Sequence, residues 1–232
     1  MQPLTLMGVV TGLNENEVSE YITNVGPEGA MKAFDNLKYK LASYEVHPSY
    51  KAPVLFKIYR DLFAIMWNHE YETSGLDAAL LTKSSIQGRK ELNDIVNKLR
   101  QTDGVFKNIR LVCTSPYICV RDGRRIDGLY TVTTDDLVNG VRHEDAVCRA
   151  TFAVDIHPSK AGQGDSFSDG GIKAKPYDIP FRALVSKDVD NLFMAGRCIS
   201  GDFYAHASYR MTGNASAMGE AAGKAASKYG KE

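Results

Sequence analysis

Residues 54 to 68 place the strongest limit on the fold. They read VLFKIYRDLFAIMWN, with apolar and polar side chains in alternation and with Arg60 and Asp61 in the middle. Alternation with a period of two is typical of strands that have one buried face, and two such runs joined by a short polar link predict a β-hairpin with its turn at these two residues. The chain therefore contains antiparallel sheet.

Two segments have the spacing of amphipathic helices. The first is GPEGAMKAFDNLKYKLASY, whose apolar positions are Met31, Phe34, Leu37 and Leu41. The second is SSIQGRKELNDIVNKLRQTDG, whose apolar stripe is Leu92, Ile95, Val96 and Leu99. Ser84 or Ser85 can cap its start, and Gly104 follows its end.

From residue 108 onward the pattern changes to short strands. The predicted strands are NIRLVCTSP, YICVRDGRRI, GLYTVTT, AVCRATFAVDIH, YDIPFRALV and NLFMAG. A helical turn is predicted at TDDLVNG, and the chain closes with a helix over NASAMGEAAGKAASKYGK. Antiparallel strands with helices laid on them predict the α+β class.

The segment SKAGQGDSFSDGGIKAKP is predicted to be a loop without regular structure. Gly162 and Gly164 form a GxG, but Phe167 stands where a dinucleotide fingerprint has its third glycine. We therefore expect a mobile surface loop and not a phosphate cradle.

Composition excludes two classes of partner. The 28 Lys and Arg residues balance the 28 Asp and Glu residues, so no net field attracts nucleic acid or an anionic membrane. With 232 residues, 44% of them hydrophobic, the chain forms one or two domains. No basic residue precedes the first apolar stretch and no run has the length of a membrane span, so the sequence leaves the compartment open.

The four cysteines, Cys113, Cys119, Cys148 and Cys198, form no CxxC pair and have no histidine at ligand spacing. This pattern argues against a zinc site, an iron–sulfur cluster and a redox dithiol. We expect reduced and mostly buried thiols, and no metal site.

The last helix consists almost entirely of small residues. Gly219 and Gly223 lie one turn apart, with Ala215, Ala222 and Ala226 near the same face, so another backbone can approach closely. At its start, unpaired N–H groups favour a negative or electron-rich ligand. Tight helix packing without any ligand explains this segment equally well.

Two basic clusters are candidates for chemistry. AHASYR places His206, Tyr209 and Arg210 beside the start of that helix, where a histidine could exchange a proton near neutral pH, although isolated histidines are more often structural. VRDGRRI holds Arg121, Arg124 and Arg125, which form either a carboxylate clamp or a solvated charged turn.

The segments YDIPFRALVSKDVDNLFMAGRCIS and AHASYRMTGNASAMGEAAG resemble the C-terminal signature of the FAD-dependent oxidoreductases, which are distantly related to fumarate reductase flavoproteins and the flavin subunit of heterodisulfide reductase. The resemblance extends back through DIH, VRDGRRIDGLYTVT and SSIQGRKE to QPLTLM. One departure is SGDFYA, which stands where a stretch like SATHEA is commoner before the histidine.

The resemblance implies a domain organisation. Residues 1–175 would form the substrate-side domain, and residues 176–232 would return to the FAD-binding domain. In this family an earlier segment carries the GxGxxG that binds the ADP half of FAD. We expect this chain to be a C-terminal portion that needs that segment, from the same polypeptide or from a separate chain.

The resemblance also implies roles for individual residues. Gly196 and Arg197 would lie at the flavin, and the amides of the last helix would face the flavin pyrimidine edge; these helix residues are Gly213, Asn214, Ala215, Ser216 and Ala217. The implied catalytic residues are His206, Arg121, Arg124 and Arg210.

The implied activity is flavin-mediated hydride transfer with a small-molecule substrate, with FAD as the cofactor. The isolated chain would be inactive. Two alternatives stay open: a non-catalytic binding or assembly protein with the same fold, and a subunit that completes an FAD site with a separate Rossmann chain.

Overall fold

The computed structural model describes residues 1–23, 27–164 and 166–229. The chain divides into two compact units. The first comprises Met1–Val120 with Pro158–Ser166, and the second comprises Arg121–His157 with Phe167–Glu232. Mixed helix and antiparallel sheet confirm the α+β class.

An antiparallel sheet of four strands organises the first unit. Its strands are β1 (Gly8–Thr11), β2 (Val54–Tyr59), β3 (Leu62–Met66) and β4 (Arg110–Thr114), in the spatial order β2-β3-β1-β4. The predicted hairpin is confirmed, since β2 and β3 pair across a tight turn in which Arg60 has a φ of +50°. The predicted strand in NIRLVCTSP is also confirmed, as β4.

Three helices accompany this sheet: α1 (Glu15–Val18), α2 (Pro27–Ala42) and α3 (Ala78–Arg100). Both predicted amphipathic helices are confirmed. The stripe of α3 is buried with Leu37 and Leu41 of α2 in one hydrophobic core. This burial explains why the segments are helical.

The predicted start of α3 is wrong. Asp77 caps the helix, since its side chain accepts a hydrogen bond from the Leu80 N–H at 2.9 Å, and Ser84 and Ser85 lie inside the helix. The Ser85 hydroxyl donates to the Leu81 carbonyl at 2.7 Å. Asp77 supplies a cap two turns earlier, ahead of a segment rich in helix-forming Ala and Leu.

The second unit contains a two-stranded antiparallel sheet, β5 (Ala146–Ala150) and β6 (Tyr177–Pro180). Its helices are α4 (Thr134–Asn139), α5 (Phe203–Tyr209) and α6 (Thr212–Tyr229). The helical turn at TDDLVNG is confirmed as α4, which begins with a capping box between Thr133 and Asp136. The final helix is confirmed as α6.

Three predicted strands are wrong: YICVRDGRRI, GLYTVTT and NLFMAG form isolated bridges instead of ladders. Their backbone groups pair one residue at a time with different segments. The Ile126 N–H donates to Cys198 O at 3.0 Å, whereas the Leu129 N–H donates to Val185 O at 3.1 Å. Alternating apolar and polar residues indicate that an extended segment has one buried face. They do not show that the segment pairs with a neighbouring strand along its whole length.

The glycine-rich loop has no helix or named strand over its described residues, and it contacts Ile156 through a bridge at Ser168. Asp165 lies outside the described residues. Cys113 and Cys119 are exposed, so the expectation of mostly buried thiols is wrong for these two. No helix in the described ranges is long and apolar enough to cross a membrane.

Candidate functional site

The backbone of the segment MAGRCIS turns at Gly196, where the short 3-10 helix Gly196–Cys198 begins. This glycine is buried and has a φ of +79°, a conformation that side chains with a Cβ rarely adopt. Its N–H lies 3.3 Å from the Met218 sulfur, and a Cβ added to it would lie 3.6 Å from the Ala215 Cβ. The turn therefore packs directly on the first turns of α6, which brings two groups of predicted cofactor residues together.

The start of α6 offers a small set of backbone donors. Helix geometry leaves the first N–H groups without an acceptor in the helix, and here those groups belong to Thr212, Gly213 and Asn214. The Ala215 N–H already donates to Met211 O at 3.0 Å. Nothing lies within 4 Å of a Cβ placed on Gly213, so a ligand could approach the backbone there.

Two polar side chains at the start of α6 donate hydrogen bonds to backbone oxygens of the same chain. The Asn214 amide donates to Tyr209 O at 3.2 Å and the Ser216 hydroxyl donates to Thr212 O at 3.1 Å. Ala217 is partly buried. Among the predicted residues 213–217, the backbone of Gly213 and Asn214 thus fits a negative ligand best.

His206 lies on α5, whose start is capped by Asp202 through a 2.8 Å bond from the Ala205 N–H. The imidazole is completely buried, and neither ring nitrogen has a hydrogen-bond partner among the described residues. Burial, followed by the charge of Arg125, lowers the pKa of His206 to about 4. At neutral pH the ring is uncharged, so one ring nitrogen can donate a hydrogen bond and the other can accept one, and proton exchange near neutral pH, as the sequence suggested, is not favoured.

Arg210 caps the end of α5 and is clamped by Asp155. One guanidinium nitrogen, Nη2, donates to both the backbone oxygen and the carboxylate Oδ2 of Asp155, each at 2.8 Å. His157 Nε2 lies 3.3 Å from the same carboxylate oxygen. Although burial favours the neutral carboxyl, the hydrogen bond from His157 and the nearby cationic groups hold the pKa of Asp155 below its ordinary value.

The three arginines of VRDGRRI occupy different environments. Arg121 is buried and contributes to the electrostatic stabilisation of Asp155. Arg125 is half-buried, forms a 2.9 Å ion pair with Asp122, and acts on His206. Arg124 is exposed. The structure thus gathers Arg121 and Arg125 with the acids and histidines of this unit and leaves Arg124 at the surface.

Arg197 directly follows the Gly196 turn and is exposed. Its charge also lowers the pKa of His206, after those of Arg125 and Arg210. Arg197, a predicted cofactor residue, and Arg210, a predicted catalytic residue, therefore both act electrostatically on His206. Cations outnumber the acids that act on the imidazole, which suits an anionic ligand.

The small face of α6 is open. Among residues 1–23, 27–164 and 166–229, no atom outside the helix's own backbone lies within 4 Å of a Cβ placed on Gly219 or Gly223, and both residues are exposed. Met218, on another face of the helix, is fully buried and contacts the Gly196 turn. The close approach that these glycines permit is thus not used by any described residue.

Sequence reasoning did not select Asp122, Asp155 or His157 as site residues, and it named Arg125 only as a member of the arginine cluster. Arg125 was identifiable within its cluster, but only the fold distinguishes it from Arg124. A buried guanidinium needs an acidic partner. Asp155, the acid in the segment AVCRATFAVDIH, could therefore have been considered as the partner of a buried arginine. The pairing of Asp155 with Arg210 joins residues 55 positions apart and has no local signal.

Comparison with known proteins adds one finding. The sequence model of a family described as FAD dependent oxidoreductase matches residues 1–232. No curated protein and no solved structure gives a significant match to the chain.

Proposed function

The chain belongs to the FAD-dependent oxidoreductase family, and we propose that it takes part in hydride transfer between FAD and a small organic substrate. FAD is the cofactor of this family. When bound, the flavin supplies the two-electron chemistry, and the protein supplies binding, orientation and charge. The observation that carries the proposal is the packing of the Gly196 turn on the first turns of α6. Arg197, which follows this turn, acts electrostatically on the buried His206.

Three features of this turn would hold the flavin. The Gly196 backbone and the open Gly213 backbone permit close approach by a flat ring. The N–H groups at the start of α6, with the positive end of the helix dipole, favour negative charge at their side of the ligand. Arg197 would contact a phosphate or the ribityl chain.

The substrate side would bind an anionic group. Arg121, Arg125 and Arg210 are the cations of this unit that are buried or partly buried, and planar guanidinium groups bind carboxylates through two oxygens. His206, neutral at working pH, would form one hydrogen bond with the substrate. Asp155 would keep Arg210 in place, because the clamp uses both its backbone and its carboxylate.

A nucleotide-binding segment would complete the FAD site. No GxGxxG occurs in the 232 residues, and in the family that motif binds the ADP half of the cofactor. We propose that this segment comes from the same polypeptide or from a separate chain, and that it docks on the open face of α6. The chain by itself would then be inactive and would retain FAD poorly.

Alanine substitutions in the assembled protein test the substrate side. Replacing Arg121, Arg125 or Arg210 should weaken the binding of small carboxylates by about 2–5 kcal/mol, as for other buried charges that lose a partner. Binding is measured as a perturbation of the flavin absorbance by a panel of mono- and dicarboxylates. Arg124→Ala is the matched control in the same cluster, and it should cost less than about 1 kcal/mol because Arg124 is exposed.

Two results would contradict this assignment. If Arg124→Ala weakened binding as much as Arg125→Ala, the greater exposure of Arg124 would not distinguish its role from that of Arg125. If all four variants bound carboxylates like the parent, the cluster would be a charged turn. A protein that never acquires flavin would instead favour the non-catalytic alternative.

A further inference from the structure

A cleft in the first unit lies outside the proposed flavin site. It has a volume of ≈ 380 Å³ and is lined by polar and titratable side chains, among them His47, Ser49, His69, Glu70, Lys90 and Glu91. Three elements contribute to it: α3, the loop before β2, and the segment that follows β3. Two of its side chains are partly buried carboxyls, Glu70 and Glu91.

Glu91 attaches the loop before β2 to α3. Its Oε1 accepts a hydrogen bond from the Ser49 N–H at 2.7 Å, and its Oε2 accepts one from the Ser49 hydroxyl at 2.8 Å. The Ser49 hydroxyl oxygen also accepts from the His69 N–H at 2.8 Å. The Tyr71 hydroxyl donates to Ser49 O at 3.1 Å. Ser49 is thus the point at which all three elements meet.

Glu70 approaches the same side of α3. Its Oε1 accepts from the Asn68 amide at 3.2 Å, and its backbone is fixed by bonds of 3.0 and 2.8 Å to Leu4. A Cβ on Gly88 would lie 3.5 Å from Glu70 Oε1 and 2.5 Å from the Asn68 nitrogen, so the glycine makes room for both. Glu91 follows Gly88 by three residues and shares its helix face.

Other titratable groups lie around the cleft beside this pair. Lys90 is exposed and forms an ion pair at 2.5 Å with Asp94, one turn along the helix. His47 is exposed at the mouth of the cleft, and the Tyr71 hydroxyl lies 3.4 Å from His69 Nδ1. Asp94 adds a further negative charge to the lining.

The electrostatics favour retention of a proton. Burial, followed by the charge of Glu91, raises the pKa of Glu70 to about 7. Burial also raises the pKa of Glu91, although its two bonds from Ser49 act in the opposite direction. Two partly buried carboxyls that share a site cannot both ionise without cost.

We propose that Glu70 and Glu91 form a proton-binding site, in which a proton held by the pair fastens the loop around Ser49 to α3. Above neutral pH the proton leaves to solvent and both carboxylates are charged. Their repulsion then weakens the attachment of the loop. The site is a pH-sensitive latch, and it does not depend on the proposed flavin chemistry.

Hydrogen exchange of the Ser49 amide tests the latch, because this N–H donates directly to Glu91. Protection is measured from pH 6 to pH 8.5 and corrected for the intrinsic exchange rate. We expect protection to fall about tenfold over this range, since each unit of pKa shift is a factor of ten and the partial exposure of the pair reduces the full effect. In Glu70→Gln, protection should be independent of pH.

His47→Gln is the control for the exposed histidine that lines the cleft, and it should keep the pH dependence of the parent. Unchanged protection in the parent, or an equal fall in Glu70→Gln, would overturn the proposal. If Glu70→Gln fails to fold, the carboxyl ¹³C shifts of the parent decide the question. One carboxyl of the pair should titrate near pH 7, and titration of both near their ordinary pKa would overturn the proposal.

Discussion

Alanine at Gly219 or Gly223 should stabilise the isolated chain. Both glycines lie inside α6, are exposed, and have nothing within 4 Å of an added Cβ. The substitution therefore changes only the helix propensity, which favours alanine by about 1 kcal/mol. For a chain of this length the melting temperature should rise by about 2–4 °C.

Gly88→Ala is the matched control, because Gly88 also lies inside a helix. There the new Cβ would lie 2.5 Å from the Asn68 amide nitrogen and 3.1 Å from the Leu6 Cβ. Overpacking of this kind costs about 1–3 kcal/mol, which exceeds or cancels the gain in propensity. Urea unfolding followed by circular dichroism compares the three variants. If Gly219→Ala destabilised the chain, other residues would have to pack against that face of α6, and the predicted gain in stability would be refuted.

Leucine at Gly219 extends the test to the assembled protein. In the isolated chain Leu is nearly as good a helix former as Ala, so stability should not fall. If the nucleotide-binding segment docks on this face, the larger side chain should weaken assembly and FAD retention. A Gly219→Leu protein that assembles and keeps its flavin would show that the open face is not the docking surface.

Two further substitutions test the site itself. Gly196→Ala should destabilise the chain by about 1–2 kcal/mol through its positive φ alone, because the new Cβ has no close contact; an unchanged midpoint in urea would refute this. The lowered pKa of Asp155 stabilises the fold above the unfolded-state pKa, and this contribution is lost as pH falls through the folded value. Asp155→Asn should therefore flatten the acid limb of the stability curve, measured by urea unfolding between pH 5 and pH 2, relative to the parent.

The sequence predicted the elements whose signals are local. The hairpin at residues 54 to 68 and helices α2, α3 and α6 each carry their own periodicity, and the structure contains all four. The start of α3 was misplaced because Ser84 and Ser85 resemble caps, whereas Asp77 lies two turns earlier. A helix can include serines whose hydroxyls bond back to the preceding turn.

Three other predicted strands failed for a different reason, whereas AVCRATFAVDIH and YDIPFRALV contain β5 and β6. The segments 117–126, 128–134 and 191–196 alternate in sequence, but they bond to different neighbours one residue at a time. Pairing depends on segments that are distant in the chain, so no local pattern could show that a ladder is missing.

The residues proposed to contact the cofactor carry local sequence signals. A glycine after an apolar run and a helix start rich in small residues are local signals, and the structure packs Gly196 on Ala215. The ion pair of Asp155 with Arg210 joins residues 55 positions apart and is not local, whereas the pair of Arg125 with Asp122 is (i,i+3). The choice of Arg125 over Arg124, and the clamp of Asp155 on Arg210, follow from tertiary packing.

The absorbance spectrum of the purified protein tests the central claim most directly. The chain is prepared alone and together with the nucleotide-binding segment that the proposal requires, and each preparation is passed through gel filtration with FAD. We predict a bound flavin spectrum for the combination and little or none for the chain alone. Stoichiometric FAD on the chain alone, or no flavin in either preparation, would contradict the account.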